Sequence, residues 1–188
     1  LQALKRTSGA AAYQIPVTIL FNKVDIYAAE DLEVLENFIS IYKNVGYPCL
    51  KISALDSTSI KFLLEEIKGQ KVMFGGHSGV GKSTLINSLD PSLKLKTGKI
   101  SKQHLAGLHT TTFAEMFELA NGGFVIDTPG VKAFGLIDFD KTELSHYFPE
   151  MLAVSDNCKF HNCQHLNEPN CAVKKAVEEG KIHESRYY

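Results

Sequence analysis

Gly76-His77-Ser78-Gly79-Val80-Gly81-Lys82-Ser83 matches the phosphate-binding pattern G-x-x-x-x-G-K-[ST] at every fixed position. Lys71-Val72-Met73-Phe74-Gly75, a short run of strand type, precedes it, and Thr84-Leu85-Ile86-Asn87-Ser88-Leu89, apolar at helical spacing, follows it. The pattern needs that strand–loop–helix setting to act. Glycines let the backbone turn until successive N–H groups, from Gly76 through Ser78, Gly79, Val80 and Gly81, converge on phosphate oxygens. The first helical turn, with Ser83 and Thr84, adds the partial positive charge of a helix N-terminus. Lys82 is placed to reach the β- and γ-phosphates, and the Ser83 hydroxyl is of the kind that ligates Mg²⁺ beside them. The chain is thereby confined to an α/β fold built around a nucleotide.

The 188 residues suit one ordinary domain with a small appendage, and 44% hydrophobic content is enough for a packed core. A formal net charge of −1 gives no global basic signature for nucleic acid, though it leaves room for a local basic patch. No apolar run approaches the roughly 18 residues that a membrane helix needs, and no secretory signal opens the chain. Three of the four cysteines crowd into one segment beside histidines, a pattern of metal binding in a reducing compartment rather than of disulfides, so a cytoplasmic location is expected. Residues 1–15 begin without a helix start signal and read as an excerpt from a longer chain.

Upstream of the phosphate loop, Pro16–Phe21 is a continuous apolar run that predicts a buried strand. It runs into Asn22-Lys23-Val24-Asp25, the N-K-x-D signature by which nucleotide-binding folds read guanine. Asp25 can accept from guanine N1–H and N2–H₂, Asn22 can donate toward the guanine edge, and the Lys23 stem can cover the ring. Adenine would leave the carboxylate unpaired in a closed site. An amphipathic helix over Glu30–Tyr42 presents Leu32, Leu35, Phe38, Ile39 and Tyr42, and Gly46 and Pro48 mark its exit. A second strand, Cys49–Ile52, leads to Ser53-Ala54-Leu55, whose backbone N–H groups suit a base oxygen. Another helix is expected over Ser59–Ile67, with Ser57 or Thr58 near its N-cap.

Downstream, Asp90-Pro91 stops the helix that follows the phosphate loop. Residues 92–111 read as a long loop ending in His109-Thr110-Thr111-Thr112, and loops of that length inside a domain usually serve a function. One of its threonines, Thr111 being the choice over its neighbours, suits a Mg²⁺ contact that orders the loop around a triphosphate. Thr112–Leu119 and Phe124–Ile126 read as a hairpin turning at Gly122-Gly123. Asp127-Thr128-Pro129-Gly130 follows as D-x-x-G, with Asp127 directed at a metal-bound water and Gly130 N–H at the γ-phosphate. Beyond it, Ile137–Phe148 mixes acidic and aromatic residues in short helices. Cys158, His161, Cys163, His165 and Cys171 then supply three thiols and two imidazoles, enough for a closed tetrahedral zinc site whose histidine is His161 or His165. A helix over Ala172–Glu179 follows.

The guanine motifs precede the phosphate loop, the reverse of their order in an ordinary GTPase. That succession implies one pocket formed by a circularly permuted chain. On Gly76–Ser83, His109–Thr112, Asp127–Gly130 and a C-x₄-C-x-H-x₅-C cluster, the chain resembles the ribosome small subunit-dependent GTPase A family across essentially its whole length. The resemblance implies a circularly permuted P-loop GTPase domain over residues 1–136, a mostly parallel sheet with flanking helices. It implies a small helical zinc-binding subdomain over 137–188, and it selects Cys158, Cys163, His165 and Cys171 as the ligands. An RNA-binding OB-fold barrel, which that family carries upstream, is expected to be absent here, as is the strand before the first helix. Leu108 departs from the basic residue usual before His109, which weakens the expectation of a phosphate or rRNA contact there.

The implied activity is GTP hydrolysis stimulated by the small ribosomal subunit late in its maturation, with GTP or GDP, that subunit and its rRNA as partners, no membrane, and a monomeric state. Val131 stands where Ras-like GTPases carry a water-orienting Gln, so slow intrinsic turnover is expected, with His109 as the candidate to orient water. Three readings compete: a permuted GTPase of the large subunit, which would not be expected to carry the cysteine cluster; an ATPase, against which Asp25 argues; and a non-hydrolysing nucleotide switch.

Overall fold

The computed structural model describes residues 10–11, 13–77, 79–95, 115–127 and 142–188, with Glu115 and Asp127 described by their backbone alone. The expected features at Ser78, across the loop with His109 and Thr111, and at Gly130 lie outside the described residues.

β1 (Ile19–Phe21) and β2 (Cys49–Lys51) form a two-stranded sheet. Ile19 N donates to Pro48 O and Ile52 N to Phe21 O at 2.8 and 2.9 Å. The two numberings rise together, so the strands run parallel. The connection is α1 (Ala29–Asn44), the long crossover that parallel pairing requires. The apolar run of β1 led to the expectation of a fully buried strand; its three side chains are instead half-buried. Within the described residues β1 has one bonded neighbour. α1 buries Leu35, Ile39 and Tyr42 at i, i+4 and i+7, while Leu32 and Phe38 stay 38% and 47% exposed. Phe38 lies about 100° round the helix from Ile39, on the flank of the buried stripe.

α2 (Ser57–Glu66) begins before its apolar pattern does. The cap is Asp56, not Ser57 or Thr58: its carboxylate accepts from Thr58 N at 3.2 Å, Ser59 N at 2.9 Å and Ser59 Oγ at 2.8 Å. The second sheet has the order β3-β5-β4. β3 (Lys71–Met73) runs parallel to β5 (Phe124–Asp127) with Val72 opposite Val125, and β4 (Glu115–Glu118) runs antiparallel to β5. Gly122 at φ +80° makes the hairpin turn, and Leu119 N donates to Gly123 O at 2.7 Å. α3 (Lys82–Leu89) follows the phosphate loop and ends at Asp90. Ile52, Ile60, Leu63, Leu85, Ile86, Leu89, Leu119 and Val125 form the core beneath these elements. The α/β class, with parallel ladders and flanking helices, is as the sequence implied, though the described strands form two sheets rather than one.

The chain gathers into two compact units. One contains Leu20–Val34 and the stretch from Leu50 onward that carries α2, both strands of the hairpin and the phosphate loop. The other contains 10–19, Leu35–Cys49 and 142–188. A single cut at residue 136 does not separate them. The second unit holds α4 (Pro149–Ser155), α5 (Ala172–Glu178) and α6 (Glu184–Tyr187) around Phe148, Met151, Cys171, Val173, Ala176 and Ile182. α4 was not foreseen beyond Phe148, although Pro149 at its first position is an ordinary helix opening. Arg186, 1% exposed, bonds Glu150 Oε1 through Nε at 2.6 Å and faces the rings of Phe148, Tyr42 and Tyr47 at 5.1, 5.5 and 5.9 Å. A charge so buried needs its pair, because losing Glu150 would strand the guanidinium in apolar surroundings. Burial pushes the Tyr42 phenol upward, and the Arg186 charge partly offsets this.

Candidate functional site

The end of β1 delivers Asn22 and Lys23 to the phosphate loop. Lys23 occupies the left-handed region at φ +69° and opens a 3₁₀ turn over Val24–Ile26 that carries Asp25. From there Lys23 Nζ donates to Gly79 O at 2.7 Å, and Asn22 Nδ2 donates to Val80 O at 2.9 Å. Asn22 Oδ1 in turn accepts from Ala54 N at 3.0 Å. One carboxamide thus ties the N-K-x-D turn, the phosphate loop and the Ser53-Ala54-Leu55 loop together. The N-K-x-D pattern predicts Asn22 at the guanine edge and the Ser53-Ala54-Leu55 backbone N–H groups at a base oxygen; it does not predict this bracing. The signal was available in the spacing of residue types, but only the fold shows which loops meet.

Two glycines make the close approach possible. Gly81 sits at φ +95°, and a Cβ there would stand 2.5 Å from Asn22 Nδ2. At Gly76 a Cβ would stand 2.7 Å from Val80 Cγ2. Buried Ser53 accepts from Leu55 N through Oγ at 3.2 Å, and Ser53 N donates to Ser59 Oγ at 3.4 Å, linking this loop to the Asp56 cap. Hydrogen bonds from Ser59 and Thr58 hold the Asp56 carboxyl below the usual carboxylate range. A cavity of about 280 Å³ lies among these loops, lined by Asn22, Lys23, Asp25, Ile26, Ser53, Ala54, Leu55, Gly81 and Thr84.

On the phosphate side, Lys82 opens α3 and its ammonium donates to Gly76 O and, at 2.9 Å, to His77 O. These neutral acceptors are of a kind that a phosphate oxygen outcompetes, since only the phosphate adds an opposite charge for the ammonium to face. Ser83 and Thr84 are half-buried in the first turn. Because β3 and β5 are parallel neighbours, the phosphate loop and Asp127 leave the sheet at the same edge. The phosphate loop and the Asn22–Asp25 turn, joined by the bonds from Asn22 and Lys23, bring backbone donors and the Asp25 carboxylate around one cavity.

In the second unit, one ligand atom from each of Cys158, Cys163, His165 and Cys171 lies within 4.8 Å of all the others, a group that could hold a metal ion. His165 Nδ1 stands 3.3 Å from Cys171 Sγ and 3.6 Å from Cys158 Sγ. Such separations suit the corners of a tetrahedron with metal–sulfur bonds of about 2.3 Å. Ala172 N donates to Cys158 Sγ and Lys174 N to Cys171 Sγ at 3.3 and 3.4 Å. Burial, with help from the neighbouring thiols of Cys171 and Cys158, pushes the Cys163 thiol up to about 12. Burial also lowers His165 toward its neutral, ligating form. His161 is exposed and outside the cluster, whose histidine is His165.

Residues 3–137 match the family model of the RsgA GTPase. The Small ribosomal subunit biogenesis GTPase RsgA of Bacteroides fragilis is 54% identical over 180 residues, 96% of this chain and 58% of that protein. Among solved structures, YjeQ from Thermotoga maritima superposes with a TM-score of 0.81 at 37% identity, over 98% of this chain and 61% of that one. YloQ, described as a circularly permuted GTPase, superposes with a TM-score of 0.76 at 31% identity, over 98% and 58%. The chain therefore spans about 58% of the length of the curated relatives it matches.

Proposed function

The chain belongs to the RsgA GTPase family, and on that premise we propose that it binds GTP and hydrolyses it to GDP and phosphate in late maturation of the small ribosomal subunit, its turnover stimulated by that subunit. The observation that carries this reading is the pair of bonds from Asn22 and Lys23 to the carbonyls of Val80 and Gly79. They make the guanine motif and the phosphate loop parts of one pocket, although the sequence writes them in permuted order.

In this reading Asp25 pairs the guanine edge, Ser53 and Ala54 border the base, and Lys23 covers it. Gly76, Ser78, Gly79, Val80, Gly81, Lys82 and Thr84 cradle the phosphates, with Asp127 and Gly130 near the γ-phosphate. Ser83 and Thr111 would hold a magnesium ion, which supplies neutralising charge to the phosphates. Val131 cannot orient water, so His109 takes that role. The Cys158, Cys163, His165 and Cys171 group holds a structural zinc, since three thiolates leave no open position for catalysis. The cysteine cluster makes residues 137–188 the zinc-binding part, and residues 1–136 carry the nucleotide motifs. The rRNA of the subunit is the macromolecular partner, in the cytoplasm, with the chain acting as a monomer. No helix among the described residues is long and apolar enough to cross a membrane.

The test is GTP turnover with and without purified small subunits, for this chain and for a longer one that restores the remaining length of its relatives. Stimulation of at least the longer chain is expected, and its absence in both defeats the proposal. His109→Ala should lower stimulated turnover while leaving GTP affinity in place; if neither changes, His109 is not the water-orienting group.

A further inference from the structure

A metal-binding histidine is ordinarily aimed by its second ring nitrogen, which donates to a carbonyl or carboxylate. His165 departs from that arrangement. Its Nδ1 faces Cys158 and Cys171, while its buried Nε2 has no hydrogen-bond partner among the described residues. The ring is therefore aimed through the backbone, and the backbone there is unusual. His165 sits at φ +62°, a left-handed conformation that disfavours residues other than glycine.

Two groups hold the strained turn. On one side the Glu168 carboxylate accepts from Gln164 N and Leu166 N, each at 2.9 Å, bracketing His165. On the other side the Tyr187 hydroxyl donates to the carbonyl oxygen of His165 itself. Tyr187 lies on α6 and packs, as Cys158 and Cys163 do, against the core that includes Cys171. The adjacent Arg186 is bonded to Glu150, and the His183 side chain caps the helix through Ser185 N, so the phenol arrives on a fixed element.

We propose that Tyr187 is a positioning residue of the metal centre, whose hydroxyl clamps the His165 carbonyl and so aims Nδ1 at the ion. The inference rests on the reading of Cys158, Cys163, His165 and Cys171 as metal ligands, and the two can fail separately. The experiment compares the wild-type chain, Tyr187→Phe and, as control, Tyr188→Phe. Zinc affinity is measured by competition with a chromophoric chelator, and the ligand field is read from the d–d absorption of the cobalt(II)-loaded proteins. The Phe substitution keeps the ring and removes the donor.

Wild type and Tyr188→Phe should bind one ion with the same affinity and cobalt spectrum. Tyr187→Phe should bind about 10- to 100-fold more weakly, with a displaced d–d pattern, and a variant that folds only at saturating zinc supports the clamp equally. Equal affinities with superimposable spectra overturn it. So does a Tyr187→Phe chain that fails to fold even at saturating zinc, because the hydroxyl then serves the core and not the ligand. A wild-type chain that takes up no ion overturns the metal reading itself.

Discussion

The nucleotide pocket and the cysteine cluster solve opposite problems. Around the pocket, chemistry-bearing side chains stay reachable: Lys23 and Asp25 are exposed, Asn22 and Lys82 half-buried. Asn22, Lys23 and Lys82 are held by hydrogen bonds to carbonyls of the phosphate loop rather than by a surrounding core. In the cluster, His165 and Cys171 are 3% and 5% exposed and belong to the packed interior. A ligand that must enter and leave needs donors fixed from behind and open in front. An ion that stays can be enclosed, and its ligands then double as core. The pocket should therefore fail by losing affinity with the fold intact, and the cluster by losing the fold.

The largest effect expected from this contrast follows metal removal. Structural zinc in zinc-finger peptides contributes about 10–16 kcal/mol, more than a unit of this size holds in reserve. Chelation, or Cys158→Ser, should abolish protection from hydrogen exchange across 142–188. The GDP affinity of the pocket should stay within about threefold. A chelated chain that keeps its protection removes the metal from its structural role, and one that loses GDP binding ends the separation of the two sites.

A smaller effect, confined to the other region, is expected from Gly81→Ala. The substitution forces a Cβ to within 2.5 Å of Asn22 Nδ2 at φ +95°. The left-handed conformation alone costs about 1–2 kcal/mol, and the displaced Asn22 brace should add to it. A fall in GDP affinity of at least about tenfold is expected, with zinc content unchanged. Unaltered GDP binding would mean that the brace does not organise the pocket.

The same contrast explains what could be read in the sequence. The phosphate loop, the Asn22–Asp25 turn and the cysteine cluster are legible because each packs its residue types into a short stretch with fixed spacing. The α/β alternation was visible because apolar periodicity is local. Less legible was everything made of residues far apart in the chain. Asn22 meets Val80 across 58 positions, and Glu150 meets Arg186 across 36. Neither Glu150 nor Arg186 has a neighbour in sequence that marks it as buried. The clamp of Tyr187 on His165 is of the same kind. The misplaced cap of α2 has a different cause: Ser57, Thr58 and Asp56 are all good caps, and only the carboxylate can serve two N–H groups and a hydroxyl together.

That carboxylate supplies the finest test of the contrast, because it stiffens a pocket loop without touching the core. Asp56 accepts from Thr58 N and Ser59 N, and the Ser59 hydroxyl that it fixes accepts from Ser53 N behind the cavity. Its folded pKa lies below the ordinary carboxylate value because of the Ser59 and Thr58 bonds. The stabilisation is therefore complete above the unfolded value, near pH 4, and is lost as pH falls through the folded one. Asp56→Asn keeps a good N-cap but gives up the charge. Its melting temperature should lie slightly below that of the wild type at pH 7, with the gap constant down to about pH 5 and closing below pH 4. GDP affinity at pH 7 should weaken with it, by less than Gly81→Ala produces. A melting gap that holds constant or widens in acid would show that the Asp56 charge does not stabilise the loop, and the pocket would then owe its order to the Asn22 brace alone.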